Sequence, residues 1–335
     1  MLGTVPVLAE RSRSYTPTDA PFRLRSRDTS NFRNLDSLVG YRIVNFPFSS
    51  KPMALAQWRQ QIRESKNDWV QNYFGYRIDA AKRPYSVAFR SSPYRFLLLL
   101  SHMRSGSSLL THLLTTNPEV IGYGETHTNY TDAHDFKVLL KKVYWQAQEF
   151  RTLQDIQNLK MDHRYVMDKV LHNKKFLDHD FLTSDQIYGL FLLREPERSL
   201  ASIADLKPHW NQQDTIEYYA ERMAMLVEYA RLINDPQRML VVTYEQLLDN
   251  TPQVLTTLQQ FLQTQAPFTE EYNVTKTTGM KGVGDSKGKI KAGKIVRSQR
   301  QLSQEFSPDI VERAKQVHSH SKTVLMELCQ TVETN

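Results

Sequence analysis

The run FLLLL, Phe96 to Leu100, is apolar at every position. A strand that faces solvent on one side alternates apolar with polar residues. An unbroken run instead marks a strand buried on both faces, which calls for helices above and below a parallel sheet. The residues that follow, SHMRSGSS, are small and polar. After them LLTHLLTTNP places Leu109, Leu110, Leu113 and Leu114 on one face of a helix. A buried strand, a small-residue turn and a helix have the shape of a phosphate-binding loop.

Other segments repeat the strand signal: YVMDKV at Tyr165 to Val170, IYGLFLL at Ile187 to Leu193 and MLVVTY at Met239 to Tyr244. Helical spacing appears between them. It is seen from Ala54 to Tyr73, where Leu55, Trp58, Ile62, Trp69 and Tyr73 would form the core-facing side. It recurs from Thr215 to Ile233 through Tyr219, Met223, Leu226 and Ala230, then over Val254 to Leu262 and Ser307 to Cys329. The alternation predicts an α/β fold, a P-loop-like parallel sheet flanked by helices. Residues 1–45 are polar, with scattered prolines, and read as an extended or poorly ordered arm; 46–335 read as a single domain. Gly279 to Ile295, rich in glycine and lysine, reads as a flexible basic loop.

A strand–turn–helix junction aims unpaired backbone N–H groups and the positive end of the helix dipole at whatever lies above it. Here Ser105, Gly106, Ser107 and Ser108 supply small residues and hydroxyls, and Arg104 supplies a fixed cation. A Walker loop needs GxxxxGK[ST]; the residue after Gly106 is Ser107, and the turn has no leading glycine. The dinucleotide pattern GxGxxG is also absent. The plain alternative is a buried βα turn capped by Ser105. The third strand, however, runs into LLREPERSLASI. Arg194 leaves the carboxyl end of that strand, where ligands bind in open α/β sheets, and Ser202 lies two helical turns further on. Anion sites at the ends of two strands suit a ligand with two separate phosphate groups.

The chain of 335 residues carries a net charge of +7, which favours anionic ligands. Its basic residues are dispersed, so no polyanion-binding arm and no nucleic-acid partner are expected. The lone Cys329 excludes an internal disulfide and a Cys-based zinc site and fits a reducing compartment. No Asp/His cluster stands at metal spacing, and no metal is expected. The first 34 residues, rich in Arg and Ser, faintly resemble a transit peptide, but Glu10, Asp19 and Asp28 interrupt the pattern. No apolar run reaches the length of a membrane span. The expected location is cytoplasmic.

RSGSS after one strand and LREPxxxxAS after a later one resemble the sulfotransferase family that uses 3′-phosphoadenosine 5′-phosphosulfate (PAPS, leaving PAP). The arginine form of the loop is more typical of carbohydrate-type and bacterial members. VVTYEQLLDN resembles the family's YEDL segment, and MKGVGD resembles its late loop RKGxxGD, with Met280 in place of the arginine and one residue fewer between Gly282 and Gly284. The resemblance covers roughly Arg95 to Ile295. It implies the sulfotransferase fold, PAPS as cofactor, and a set of roles. Arg104 to Ser108 would bind the 5′-phosphosulfate, Arg194 and Ser202 the 3′-phosphate, Tyr244 the adenine, and Lys281 and Gly282 would close over the 3′-phosphate. Arg104 would also stabilise the leaving bisphosphate.

Glu125, in GYGETHTNY, resembles the glutamate base of carbohydrate-type and several bacterial sulfotransferases. His127 competes, because imidazole titrates near neutrality. Lys169 and His172 resemble the acceptor-side KTPxH segment. The stretch around 126–162, with Tyr130, Tyr144 and Trp145, together with Trp210, would shape the acceptor pocket. The expected activity is sulfuryl transfer to a hydroxyl of a carbohydrate or glycolipid acceptor. Transfer to a small phenol, alcohol or lipid, and a non-catalytic nucleotide-binding protein, are the alternatives.

Overall fold

The computed structural model describes residues 55–122, 124–146, 159–173, 177–274, 288–297 and 305–333. The expected arm at 1–45, and Lys281 and Gly282, lie outside the described residues. In chain order the elements are α1 (Leu55–Asp79), β1 (Arg95–Ser101), α2 (Ser107–Thr116), β2 (Val120–Ile121), α3 (Asp135–Gln146), β3 (Tyr165–Val170), α4 (His179–Leu182), β4 (Ile187–Leu193), α5 (Pro196–Leu206), α6 (Gln212–Ile233), β5 (Met239–Thr243), α7 (Tyr244–Asp249), α8 (Thr251–Leu262), α9 (Pro308–Leu328) and β6 (Gln330–Thr331).

The strands form one parallel sheet in the order β2-β3-β1-β4-β5-β6. The fold is α/β, a parallel sheet flanked by helices, as the alternation predicted. β1 sits in the interior with β3 on one side and β4 on the other. The chain therefore leaves β1 in one direction and returns to build in the other, which makes the carboxyl end of β1 a topological switch point.

Why the FLLLL run is apolar throughout is visible in its two faces. Phe96, Leu98 and Leu100 pack with α1, α3, α4, α6 and α9, and Leu97 and Leu99 pack with α2, α7 and α8. All five residues are fully buried, and each contributes about 1.5–3 kcal/mol of transfer free energy.

The first helix differs from its predicted facing. It runs on to Asp79, and among its described side chains Val70, Phe74 and Ile78 are buried in the core, while Trp69 is 59% exposed and stacks on Tyr73. Tyr73 is half-buried and packs against the core as expected, so the departure is at Trp69; the side chains of Leu55, Trp58 and Ile62 lie outside the described residues. A tyrosine or tryptophan can lie along a surface with its polar tip wet, whereas Val70 and Phe74 have nowhere else to go. Part of the predicted basic loop also departs from expectation. Over 288–297 the chain packs onto the sheet layer, with Ile290 and Ile295 buried and a bridge between Glu271 and Lys294. No helix of the described residues is long and apolar enough to cross a membrane.

Candidate functional site

The turn after β1 begins with two unusual backbone positions. Arg104 has φ 65° and Gly106 has φ 98°. For Gly106 the residue type is forced twice, because a Cβ there would stand 2.2 Å from Cδ2 of Tyr244. Gly106 is the N-cap of α2 and provides no capping side chain. The helix therefore starts without the side-chain acceptor that usually occupies its first N–H groups, the arrangement in which an anion serves as the cap. Ser105 is not the cap: its hydroxyl is buried and shares a 2.6 Å hydrogen bond with Ser101 Oγ, whose own proton goes to the Leu192 carbonyl. Within the loop, the Ser105 side chain braces the turn.

Arg104 and the β4 end meet directly. Arg104 Nε donates to Ser202 Oγ at 2.8 Å, and Arg194 Nη1 donates to the Arg104 carbonyl at 2.8 Å. Together these bonds hold Arg104 in its left-handed conformation, which costs on the order of 1–3 kcal/mol for a residue with a Cβ. Ser202 is reached because α5 winds as expected, with Glu195 as its cap and Pro196 in its first turn. The two anion sites read from the sequence thus form one continuous basic rim. Arg194 lies under the Tyr244 ring, its guanidinium 4.5 Å from the centroid. Its Nε is buried and has no hydrogen-bond partner among the described residues. Burial pulls its proton affinity down, opposed first by Tyr244 and Glu245. Tyr244 is the first residue of α7 rather than the last of β5. That placement sets its ring against both Gly106 and Arg194.

On the other side of β1 lies Glu125. Its side chain is 10% exposed, with Oε1 3.6 Å from His127 Nδ1 and 3.6 Å from His172 Nε2. Oε1 takes no hydrogen bond among the described residues. Burial raises the Glu125 carboxyl above its ordinary value, opposed by His127 and Lys169. Lys169 lies within β3, is 3% exposed, and reaches Ser108 Oγ at 3.5 Å. Burial lowers its affinity for a proton, and Glu125 and Asp168 restore part of it. Lys169 therefore links the carboxylate to the anion loop.

Two expectations for the acceptor pocket fail. Tyr130 and Tyr144 are fully buried. Tyr130 stacks on Phe181 and donates to Asp168 Oδ2 at 2.6 Å; Tyr144 shares a 2.8 Å hydrogen bond with Tyr94. A buried phenol needs a partner for its hydroxyl, and both found theirs in the core. The Trp145 side chain lies outside the described residues. Trp210 is half-buried beside Tyr218, with Lys207 Nζ 5.6 Å from its centroid.

Comparison with solved structures finds similar chains. The sulfotransferase domain from the curacin biosynthetic pathway is 17% identical, with a TM-score of 0.43, over 68% of this chain and 98% of that one. The sulfotransferase domain from the Synechococcus PCC 7002 olefin synthase is 19% identical, TM-score 0.40, over 70% of this chain and 98% of that one. A mouse sulfotransferase complexed with PAP is 10% identical, TM-score 0.42, over 76% of this chain and 94% of that one. No family model matches the sequence, and no curated protein matches it.

Helix α6 supplies parts of the site that the motifs did not reveal. Tyr218 accepts from the Met103 N–H at 2.8 Å and donates to the Leu171 carbonyl at 2.8 Å, tying the loop's entry to the end of β3. One turn later Arg222, fully buried, donates from Nε to the Ser101 carbonyl at 2.7 Å and from Nη2 to the Val170 carbonyl. A guanidinium on the apolar face of a helix was the available signal, since such a charge is buried only when it has specific work to do. Among the described residues, no group of three or more His, Cys, Asp or Glu could hold a metal ion.

Proposed function

We propose that this chain is a PAPS-dependent sulfotransferase of the sulfotransferase fold, acting on a hydroxyl of a carbohydrate or glycolipid acceptor. The observation that carries the reading is the meeting of Arg104, Arg194 and Ser202 beside an uncapped helix start, with the buried Glu125 carboxyl across β1. The orphaned Arg194 Nε and the open first turn of α2 fit a doubly phosphorylated nucleotide. Arg104, the first turn of α2 and Ser108 would hold its 5′ end, Arg194 and Ser202 its 3′-phosphate, and Tyr244 its base. When bound, PAPS supplies an activated sulfuryl group on a phosphate leaving group.

The chain's own residues divide the remaining work. Arg104 and the α2 dipole neutralise charge that develops on the leaving phosphate. Lys169 places a second cation between that loop and Glu125. Glu125, its proton affinity raised by burial, takes the proton of the acceptor hydroxyl, and His127 and His172 stabilise its carboxylate when they are protonated. His127 is the weaker candidate for base because its side chain is 61% exposed, whereas that of Glu125 is 10% exposed. The proposed location is cytoplasmic, on the ground of the single cysteine in the sequence. With Tyr130 and Tyr144 in the core, Trp210, His127 and His172 remain as side chains to meet the acceptor.

Two measurements test this reading. Thermal stabilisation should be far greater with PAP than with ATP and Mg²⁺; ligand at 100 times its Kd adds about 2.7 kcal/mol. Preference for ATP with Mg²⁺ would sink the proposal. Replacing Glu125→Gln should lower kcat about 100-fold or more with PAP affinity unchanged. Near-normal turnover would remove Glu125 from the role.

A further inference from the structure

Asp168 sits in the middle of β3, in register with Leu98 and 1% exposed. A carboxylate in that setting is costly unless its lone pairs are filled. Among the described residues it has no basic side chain as hydrogen-bond partner. Its oxygens are filled by donors. Oδ1 accepts from the Thr126 N–H at 2.9 Å and the Lys169 N–H at 2.8 Å; Oδ2 accepts from Thr126 Oγ1 at 2.7 Å and Tyr130 OH at 2.6 Å. Three of these four donors belong to the segment that begins at Glu125.

The same segment is gripped from α3. Lys142 Nζ donates to the Thr126 carbonyl at 3.0 Å and to Thr128 Oγ1 at 2.9 Å. Thr126 Oγ1 gives its proton to Asp168 and so accepts from Thr128 Oγ1 at 2.9 Å. The order of donation is Lys142 to Thr128 to Thr126 to Asp168. Between these anchors His127 is held at φ 55°, a conformation that a residue with a Cβ adopts only when its surroundings impose it.

We propose that Asp168 is a positioning residue that, through Thr126, fixes the backbone immediately after Glu125 and so sets where the base carboxyl stands. This rests on the reading of Glu125 as the base. A tether one residue from the base acts on its Cα directly. Misplacement of a reacting group by about 1 Å costs about 100-fold in rate. Asp168 also adds a negative charge near Glu125, which works with burial to keep that carboxyl's proton affinity high. Among the described residues, the charged and titratable groups acting on Glu125 are His127 on its own segment, Lys169, Asp168 and His172 from β3 and its sequel, and Tyr218 and Arg222 from α6.

The test uses the full chain with Asp168→Asn, which keeps the shape but puts an NH₂ where two hydroxyls donate. Expected is a fall in kcat of about tenfold to 100-fold with PAP affinity unchanged, and an acid limb of the kcat–pH profile moved to lower pH. Thr126→Val should give a similar loss, and the double variant should lose no more than either single one, since both break one tether. Without substrate, ¹³C NMR titration of the Glu125 carboxyl, assigned by its absence in Glu125→Gln, should show the midpoint moved down in Asp168→Asn. An unchanged midpoint and unchanged kcat would overturn the proposal. So would loss of kcat and PAP affinity in parallel, the mark of a purely structural role. If Asp168→Asn does not fold, Thr126→Val carries the kcat and PAP measurements, with the expected loss of kcat at unchanged PAP affinity. Should the wild-type chain transfer no sulfuryl group, the NMR midpoint still decides the role of Asp168, and the lost activity falls on the proposed function alone.

Discussion

The loop after β1 and the segment after β2 flank the same sheet end, yet their polar groups are disposed in opposite ways. At the first, α2 starts on a glycine without a capping side chain, and the buried Arg194 Nε has no partner among the described residues. At the second, Thr126, Thr128, Tyr130, Lys142 and Asp168 are joined in one hydrogen-bonded network. Unmade hydrogen bonds in a buried rim are a source of affinity, because a ligand completes them without displacing protein partners. Completed bonds beneath a base are a source of order, because the geometry exists before a ligand arrives. In the function proposed here the first loop binds and the second holds still.

That contrast breaks most readily at Arg194. Arg194→Ala should weaken PAP binding about 10- to 100-fold, the range for a lost charge-assisted hydrogen bond, while leaving the Glu125 midpoint in place. Arg194→Lys should restore little, since an ammonium reproduces neither the fork nor the stacking on Tyr244. Calorimetric titration checks both, and an unchanged Kd would mean the rim is not the anion site.

A smaller effect is expected at Gly106. Gly106→Ala should destabilise the fold by about 1–3 kcal/mol in urea unfolding. Combining it with Tyr244→Ala should recover only the part due to the clash at 2.2 Å, leaving the part due to φ 98°. Full recovery would show that the backbone angle is not strained.

The smallest effect sharpens the comparison from the base side. A carboxyl whose folded-state proton affinity is raised stabilises the fold below its unfolded pKa and loses that contribution as pH rises through its folded value. Glu125→Gln should therefore raise Tm at pH 8, and the gain should shrink toward pH 4. A Tm gain that grows on acidification would contradict the raised affinity.

The strands were legible because burial on both faces leaves a local trace: FLLLL, YVMDKV and IYGLFLL each lie within strands of the sheet. The strand–turn–helix junction after β1 was legible for a related reason, since the apolar strand, the small residues of the turn and the helical leucines are contiguous. Arg194 and Ser202 could be paired from helical spacing alone. Reading aromatic residues as pocket walls failed at Tyr130 and Tyr144, because a phenol with a buried partner belongs to the core, and the partners Asp168 and Tyr94 are remote in sequence.

Strand order, the meeting of Arg104 with Ser202 and Arg194, and the hydrogen bonds from Thr126 to Asp168 have no local trace. Thr126 and Asp168 are 42 residues apart, and Arg104 and Ser202 are 98 apart. Residue type and spacing follow from local sterics and burial, so they were present in the chain as written. Which distant donor meets which acceptor depends on the register of β1 against β3 and β4, and that register exists only once the sheet has formed.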